Sequence, residues 1–199
     1  MDILKLFQYS EKLKFSDIEK ALKIRSNKLA YHIKNLTKKG VLEKENNYYK
    51  LSESSEYIVP YIASKETLLP VVLILIGDNK KVFLHKRNKR PYKNMLSLPG
   101  GRILVGESLE SAAKRIMKEK FNLEIKYKKL NSISMEQTKK NNKIVHSFIL
   151  FLVSATTKNK VELLEVEKLK SKTIPSDFKL ITEDFNKEMK IQTIYSKTK

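Results

Sequence analysis

The chain has 199 residues, a formal charge of +19 and no cysteine, which excludes disulfides and thiolate metal sites and leads us to expect a reducing, cytoplasmic setting. Met1 to Tyr9 is too short and too interrupted by charge for a signal peptide. The longest apolar run, Val71 to Ile76, falls far short of the roughly 20 residues of a membrane span, so a soluble protein with no membrane partner is expected.

From Asp2 to about Lys39 apolar residues recur at helical spacing: Ile3, Leu6 and Phe7, then Ile18, Ala21 and Leu22, then Leu29, Ala30, Ile33 and Leu36. The spacing predicts three successive helices. Ser16 with Glu19 reads as a capping box, Ser26 as the cap of the third helix, and Gly40 as its end. Beyond Gly40 the pattern becomes extended, with Val41 to Lys44 and Tyr48 to Leu51 flanking the turn pair Asn46-Asn47, so a short hairpin is predicted. Alternation places one of Tyr48 and Tyr49 inward.

Helix, helix, turn, helix, hairpin is the order of a winged helix-turn-helix, and Lys14 to Ser52 resembles that family. The resemblance implies that the third helix enters the major groove of double-stranded DNA while the hairpin, or wing, touches the backbone. Ser26, Asn27, Lys28, Tyr31, His32, Lys34, Asn35 and Lys38 form the polar face opposite Leu29, Ile33 and Leu36. Of these, Asn27, His32 and Asn35 suit base edges, and Lys28, Lys34 and Lys38 suit phosphates, as do Lys44 and Lys50 on the wing. Two plainer readings stay open: a solvated face on a protein-interaction module, and His32 as an exposed spectator. Ser52 to Leu69 reads as a short amphipathic segment and linker punctuated by Pro60 and Pro70, with a domain boundary near Lys65. The expected domains are therefore 1–64 and 65–199. The first carries 12 basic and 8 acidic residues, a net +4, and the second 29 and 14, a net +15. Such an excess suits phosphate partners, although only five of the 41 basic residues are Arg and a general enrichment in lysine would produce it too.

In the second domain Val71 to Gly77 and Lys81 to His85 read as strands around the turn Asp78-Asn79-Lys80, and Ile144 to Ala155 as a further strand. Between them lies Leu98-Pro99-Gly100-Gly101-Arg102, followed by Glu107, Arg115 and Glu119. These residues resemble the signature of the Nudix hydrolase family, G-x5-E-x7-R-E-U-x-E-E-x-G-U with U apolar. Gly101, Glu107, Arg115, Met117, Glu119 and Leu123 match it. Phe83 to Arg87 and Ile174 to Phe178 are similar to the family's second strand and the start of its C-terminal helix. The fold class expected for the whole chain is α+β: an N-terminal winged helix-turn-helix followed by a Nudix α/β/α sandwich.

The resemblance implies that positions 116, 119 and 120, which share a helical face, carry the glutamates that hold Mg²⁺ or Mn²⁺ for attack on a pyrophosphate linkage. Here they are Ile116, Glu119 and Lys120. Glu119 is the one signature carboxylate left to ligate a metal, and Glu107, Arg115 and Glu119 are what remains of the catalytic set. As plainer readings, Ile116 continues the apolar stripe Leu109, Ala112, Ala113, and Lys120 reaches solvent. Asn122 replaces a family glycine and suits a left-handed helix end. The resemblance also implies that a later carboxylate, such as Glu136, Glu162 or Glu165, can supply a ligand from a loop. A nucleotide diphosphate can instead be held without metal by Gly100, Gly101, Arg87, Arg90 and Lys120, with ordinary surface charge as the alternative for the two arginines.

The reading that combines these observations is a DNA-binding transcriptional regulator, expected to be a homodimer because two winged helices read two half-sites, whose Nudix-like domain binds a nucleotide-type ligand with hydrolysis impaired or absent. The alternative is an active hydrolase, dependent on Mg²⁺ or Mn²⁺, that cleaves a nucleoside diphosphate linked to another moiety.

Overall fold

Ile3, Phe7, Ile18, Leu29, Ile33 and Leu36 are buried together with Leu42 and Leu51 in one core, so the helical stripes do converge on the hairpin. The computed structural model describes residues 3–61 and 67–191, divided into two units between Thr67 and Leu68. The expected boundary near Lys65 lies outside the described residues.

The first unit contains α1 (Ile3–Leu6), β1 (Leu13–Lys14), α2 (Phe15–Leu22), α3 (Ser26–Lys38), β2 (Leu42–Glu45) and β3 (Tyr48–Leu51). The strands form an antiparallel sheet in the order β1-β3-β2. A 3₁₀ segment, Glu53–Tyr61, packs Ile58 and Val59 on the same core. The expected caps are corrected. Ser16 lies inside the first turn of α2, and it is the Lys14 N–H that donates to the Asp17 carboxylate, at 3.1 Å. Ser26 is the first residue of α3, where its hydroxyl donates to the Glu19 carboxylate and so ties α3 to α2. Ala21 and Ala30 are exposed: Ala21 precedes Leu22 by one residue and Ala30 follows Leu29 by one, and a single step turns a side chain by about 100° around the helix.

The second unit contains β4 (Leu69–Ile76), β5 (Lys81–Val82), β6 (His85–Lys86), β7 (Leu96–Ser97), β8 (Gly100–Arg102), α4 (Leu109–Phe121), β9 (Lys126–Lys140), β10 (Lys143–Thr156), β11 (Leu164–Glu165) and α5 (Pro175–Asp184). A mixed sheet runs β8-β4-β10-β9, with only the β4/β10 pair parallel. Its centre is buried on both faces, as a near-continuous apolar run requires. Val72, Ile74 and Ile76 meet Ala112, Ala113, Ile116 and Met117 of α4, while Leu73 and Leu75 meet Leu180 and Ile181 of α5. Period-2 alternation along one strand thus builds both cores. Buried Asn131 holds the end of α5 to the sheet, donating to Phe185 O at 2.6 Å and accepting from Ser154 Oγ at 2.7 Å.

Three expectations change here. Pro70 stands within β4, opposite Ile149, and is tolerated beside the strand's first residue. The strand expected over Lys81 to His85 is broken, because β5 pairs with β11 and β6 with β7. The long strand β9 is absent from the sequence reading, since five lysines among its first and last residues obscure its alternation. Ser108 caps α4, accepting from Ser111 N at 3.1 Å, and Asn122 ends it in the left-handed conformation at φ 53°. Among the described residues no helix is long and apolar enough to cross a membrane.

The glycine pair sits where α4, β4 and β8 meet. A Cβ on Gly100 would lie 2.7 Å from Leu73 Cδ2 and 2.8 Å from Val72 O, and one on Gly101 would lie 3.0 Å from Ile116 Cδ1. A methyl group can shift and a ladder carbonyl cannot. Gly100→Ala should therefore destabilise the chain by about 2–3 kcal/mol, and Gly101→Ala by clearly less, as read from urea unfolding; equal effects would contradict the stated packing.

Candidate functional site

The fold separates the three signature-helix positions. Ile116 is fully buried and packs on Gly101. Lys120, one turn on, reaches back so that its ammonium donates to Gly100 O at 2.5 Å. Glu119 diverges toward solvent and accepts from Arg115 Nη1 at 3.3 Å. Arg115 spends its other donors on Glu107, with Nε to Oε1 at 2.5 Å and Nη2 to Oε2 at 2.9 Å, and on Arg102 O at 3.0 Å. Glu107 also accepts from Leu104 N at 2.8 Å. The bidentate Arg115 contact, foremost, holds the Glu107 carboxyl down at about 2. Glu107 and Arg115 therefore clamp the loop between β8 and α4, a structural use of both side chains.

Gly100 and Gly101 form β8, in register with Leu73 and Val72 of β4, so the pair expected to cradle phosphates lies in a strand rather than in a loop. The residues present do not fit the divalent ion that the resemblance implies. Where two further carboxylates would be needed stand an aliphatic side chain and an ammonium. Glu165 is paired with Lys168 at 2.7 Å, and among the described residues no group of three or more His, Asp or Glu side chains converges as a metal would require.

What gathers at this position is positive charge. Burial, and then the neighbouring charges of Arg87, Lys89 and Arg115, push the Lys120 ammonium below its ordinary value. Half-buried His85, against the Phe121 ring at 5.1 Å, is lowered chiefly by burial and also by Lys120 and Arg87. Arg87 is fixed by its own loop, its Nε donating to Pro91 O at 2.7 Å and Lys89 O at 3.1 Å. Arg90 is exposed in the same loop.

Arg87 also borders a cavity of about 70 Å³ walled by Val71, Leu73, Phe148 and Leu150 and by the polar side chains of Tyr92, Ser97, Glu136 and Asp177. Asp177, on the first turn of α5, is buried and accepts from Leu98 N at 2.8 Å and Ser97 Oγ at 2.9 Å. Burial outweighs both bonds and pushes its carboxyl up to about 7. Glu136, on β9 and not on a loop, accepts from Ser176 Oγ at 2.7 Å and Tyr92 OH at 3.3 Å. Sequence reading missed Asp177 and Tyr92 as site residues. The available signal was a lone carboxylate inside the apolar stretch Ile174 to Phe178.

In the first unit Asn27, Lys28, Tyr31, Lys34 and Lys38 are exposed along α3, whereas His32 and Asn35 are partly covered. Tyr31 and His32 meet edge to face at 5.6 Å. On the hairpin, Lys44 lies 6.0 Å from the Tyr49 ring. Lys50, expected to neutralise phosphate, is instead flanked by Glu45 at 3.7 Å and Glu43 at 4.0 Å, and Ser26 is engaged by Glu19.

The profile of the NUDIX domain matches residues 67–177. An ADP-ribose pyrophosphatase of Methanocaldococcus jannaschii is 30% identical over 125 residues, covering 59% of this chain and 74% of that protein. A NUDIX hydrolase from Nitrosomonas europaea superposes with a TM-score of 0.52 at 17% identity, over 65% of this chain and 98% of that one. A MutT protein from Methanosarcina mazei Go1 gives 0.50 at 19% identity, over 62% and 96%. The two solved structures bear on the fold alone.

The Asp177 carboxyl has a direct pH consequence. With an ordinary value of 3.8 and a folded value of about 7, the folded chain binds more protons than the unfolded chain between those limits, so stability falls as pH rises through that window. Asp177→Asn retains an acceptor for Leu98 N–H and removes the titration. Thermal midpoints of native and variant chains should nearly coincide at pH 4 and separate in the variant's favour at pH 8; parallel curves would mean that Asp177 is not held protonated.

Proposed function

The chain belongs to the NUDIX domain family through residues 67–177, and on that premise we propose that it is a DNA-binding regulator whose second unit binds a nucleotide diphosphate-type ligand and hydrolyses it poorly or not at all. One observation carries this reading: Lys120 and Ile116 fill the place where the family's metal-binding glutamates would stand, with the Lys120 ammonium lodged on Gly100 O. A lone carboxylate already shared with Arg115 is a poor cage for a hard divalent cation. The cluster of Lys120, Arg87 and Lys89 is suited to a diphosphate directly, because fixed ammonium and guanidinium groups make charge-assisted hydrogen bonds to its oxygens.

The adjoining cavity has the complementary character. Its apolar walls suit a flat ring, and Glu136, Tyr92 and Asp177 offer acceptors and donors for the ring's edge. Arg87 borders the cavity and also acts electrostatically on Lys120, so one ligand with an anionic end and a ring-bearing end suits both places. The first ligand to try is ADP-ribose, on which the Methanocaldococcus jannaschii relative acts by name.

The first unit we read as a winged helix-turn-helix that docks α3 in the major groove. The exposed row Asn27, Lys28, Tyr31, Lys34 and Lys38 supports this, whereas the ion-paired Lys50 argues that the wing contributes less than α3. A homodimer follows from the same reading, since two such helices read two half-sites.

Two experiments test the two halves. ADP-ribose should raise the thermal midpoint equally in EDTA and in Mg²⁺, because a ligand that binds the native state stabilises it, and Lys120→Ala should abolish most of that rise. Turnover of ADP-ribose at ordinary enzymatic rates with Mg²⁺ or Mn²⁺ would defeat the reading and favour the active hydrolase. For the first unit, Lys28→Ala/Lys34→Ala should weaken duplex binding at least several-fold and lower the slope of log K against log[salt] by about 2; an unchanged slope would favour a protein-interaction module.

A further inference from the structure

Most of the formal charge lies outside the unit read as DNA-binding: residues 65–199 carry a net +15 and residues 1–64 a net +4. That excess is not spread evenly. On α4, α5 and their flanks, lysines are compensated by Lys114–Glu110, Lys118–Glu124, Lys168–Glu165, Lys179–Glu183 and Lys187–Asp184 pairs. Among the described residues several segments have no such compensation, and two of them lie together. Residues 86–94 contain five basic and no acidic residues, and residues 137–146 contain three basic residues, one histidine and no acidic residue. Among the described residues, Lys86, Lys89, Arg90, Lys93, Lys139 and Lys143 take part in none of the ion pairs.

The fold brings these segments together and gives one of them a distinctive shape. β4 begins at Leu69, opposite Phe148, whose partner on β9 is Glu136. Beyond that point β9 and β10 continue alone as a two-stranded ribbon, extending roughly 15 Å at the usual strand rise. The ribbon closes through Asn141 and Asn142 at φ 50° and 59°, the left-handed pair that a tight hairpin turn demands. Tyr92 fastens the basic loop to the ribbon's base, its hydroxyl 3.3 Å from Thr138 Oγ1 and 3.3 Å from Glu136 Oε1. At the tip the register pairs Lys143 with Lys140. Ile144 and Val145, between Lys143 and His146, are exposed.

We infer that the loop 86–94 and the ribbon tip form a second, sequence-independent contact to the phosphate backbone of duplex DNA. A two-stranded ribbon fits a groove of the duplex, and uncompensated lysines displace its condensed counterions. Exposed Ile144 and Val145 add an apolar element suited to sugar or base edges. This contact is separate from the α3 surface proposed above and adjoins the Lys120 cleft, whose Arg87 and Lys89 stand in the same loop.

The test uses the full chain and a duplex of arbitrary sequence, with binding followed by fluorescence anisotropy over a salt series. Lys93→Ala/Lys139→Ala/Lys143→Ala leaves Arg87 and Lys120 in place. It should lower affinity at low salt by about tenfold or more and reduce the slope of log K against log[salt] by about 2–3, and Lys→Arg at the same three positions should restore both. Loss in this variant with binding intact in Lys28→Ala/Lys34→Ala supports the ribbon contact while removing the case for α3. Unchanged affinity and slope in the triple Ala variant would overturn it, as would competition by polyglutamate equal to that of DNA at matched charge. A full chain that binds no duplex would defeat both DNA readings.

Discussion

Helix α4 and strand β4 both close on strand β8 at its glycine pair. Ile116 rests on Gly101 and Lys120 on Gly100 O, while Leu73 and Val72 of β4 leave no room for a side chain at Gly100. This contact fixes the angle at which the helix crosses the sheet, and hence where its later residues point. It also consumes the two positions that the family's chemistry would need. An aliphatic side chain completes the core while an ammonium satisfies a strand carbonyl, so the seam is stable without a bound ion.

The remaining charges follow from that closure. Arg115 has Glu107, Glu119 and Arg102 O as partners and is committed to bracing the loop. Lys120, Arg87 and Lys89 lie near one another, with Glu119 as the weakest of the neighbouring charges acting on Lys120, so the cleft beside the helix is electropositive. On the other side of Arg87 two carboxylates, Glu136 and Asp177, line a small cavity, and burial favours the protonated form of Asp177.

The first unit shows a similar reassignment of side chains by packing. Lys50 and Lys12 are engaged by Glu45, and Ser26 is taken by Glu19, so the hairpin is internally compensated while the exposed row on α3 keeps its charge. The uncompensated lysines of the second unit lie on segments that neither core requires. Both units therefore present cations where packing leaves them free, which is where a polyanion can reach them.

Much was legible in the sequence. Apolar spacing marked the helices and the hairpin of the first unit, since burying a face requires that periodicity. The unbroken run from Val71 to Ile76 marked a strand covered on both sides. Gly101, Glu107, Arg115 and Glu119 marked the family, because they fall on one loop and one helix at fixed separations. Ile116 and Lys120 marked the departure from it for the same reason. Tertiary structure decided the rest. That Gly100 and Gly101 lie in a strand depended on β4, far earlier in the chain, which pairs with them. Asp177 and Tyr92 became site residues only because α5 and the loop before β7 close over β9 and β10, joining residues that no local pattern connects. Which lysines lack a partner was likewise undecidable from composition, because an ion pair is a distance between side chains and the chain folds before that distance exists.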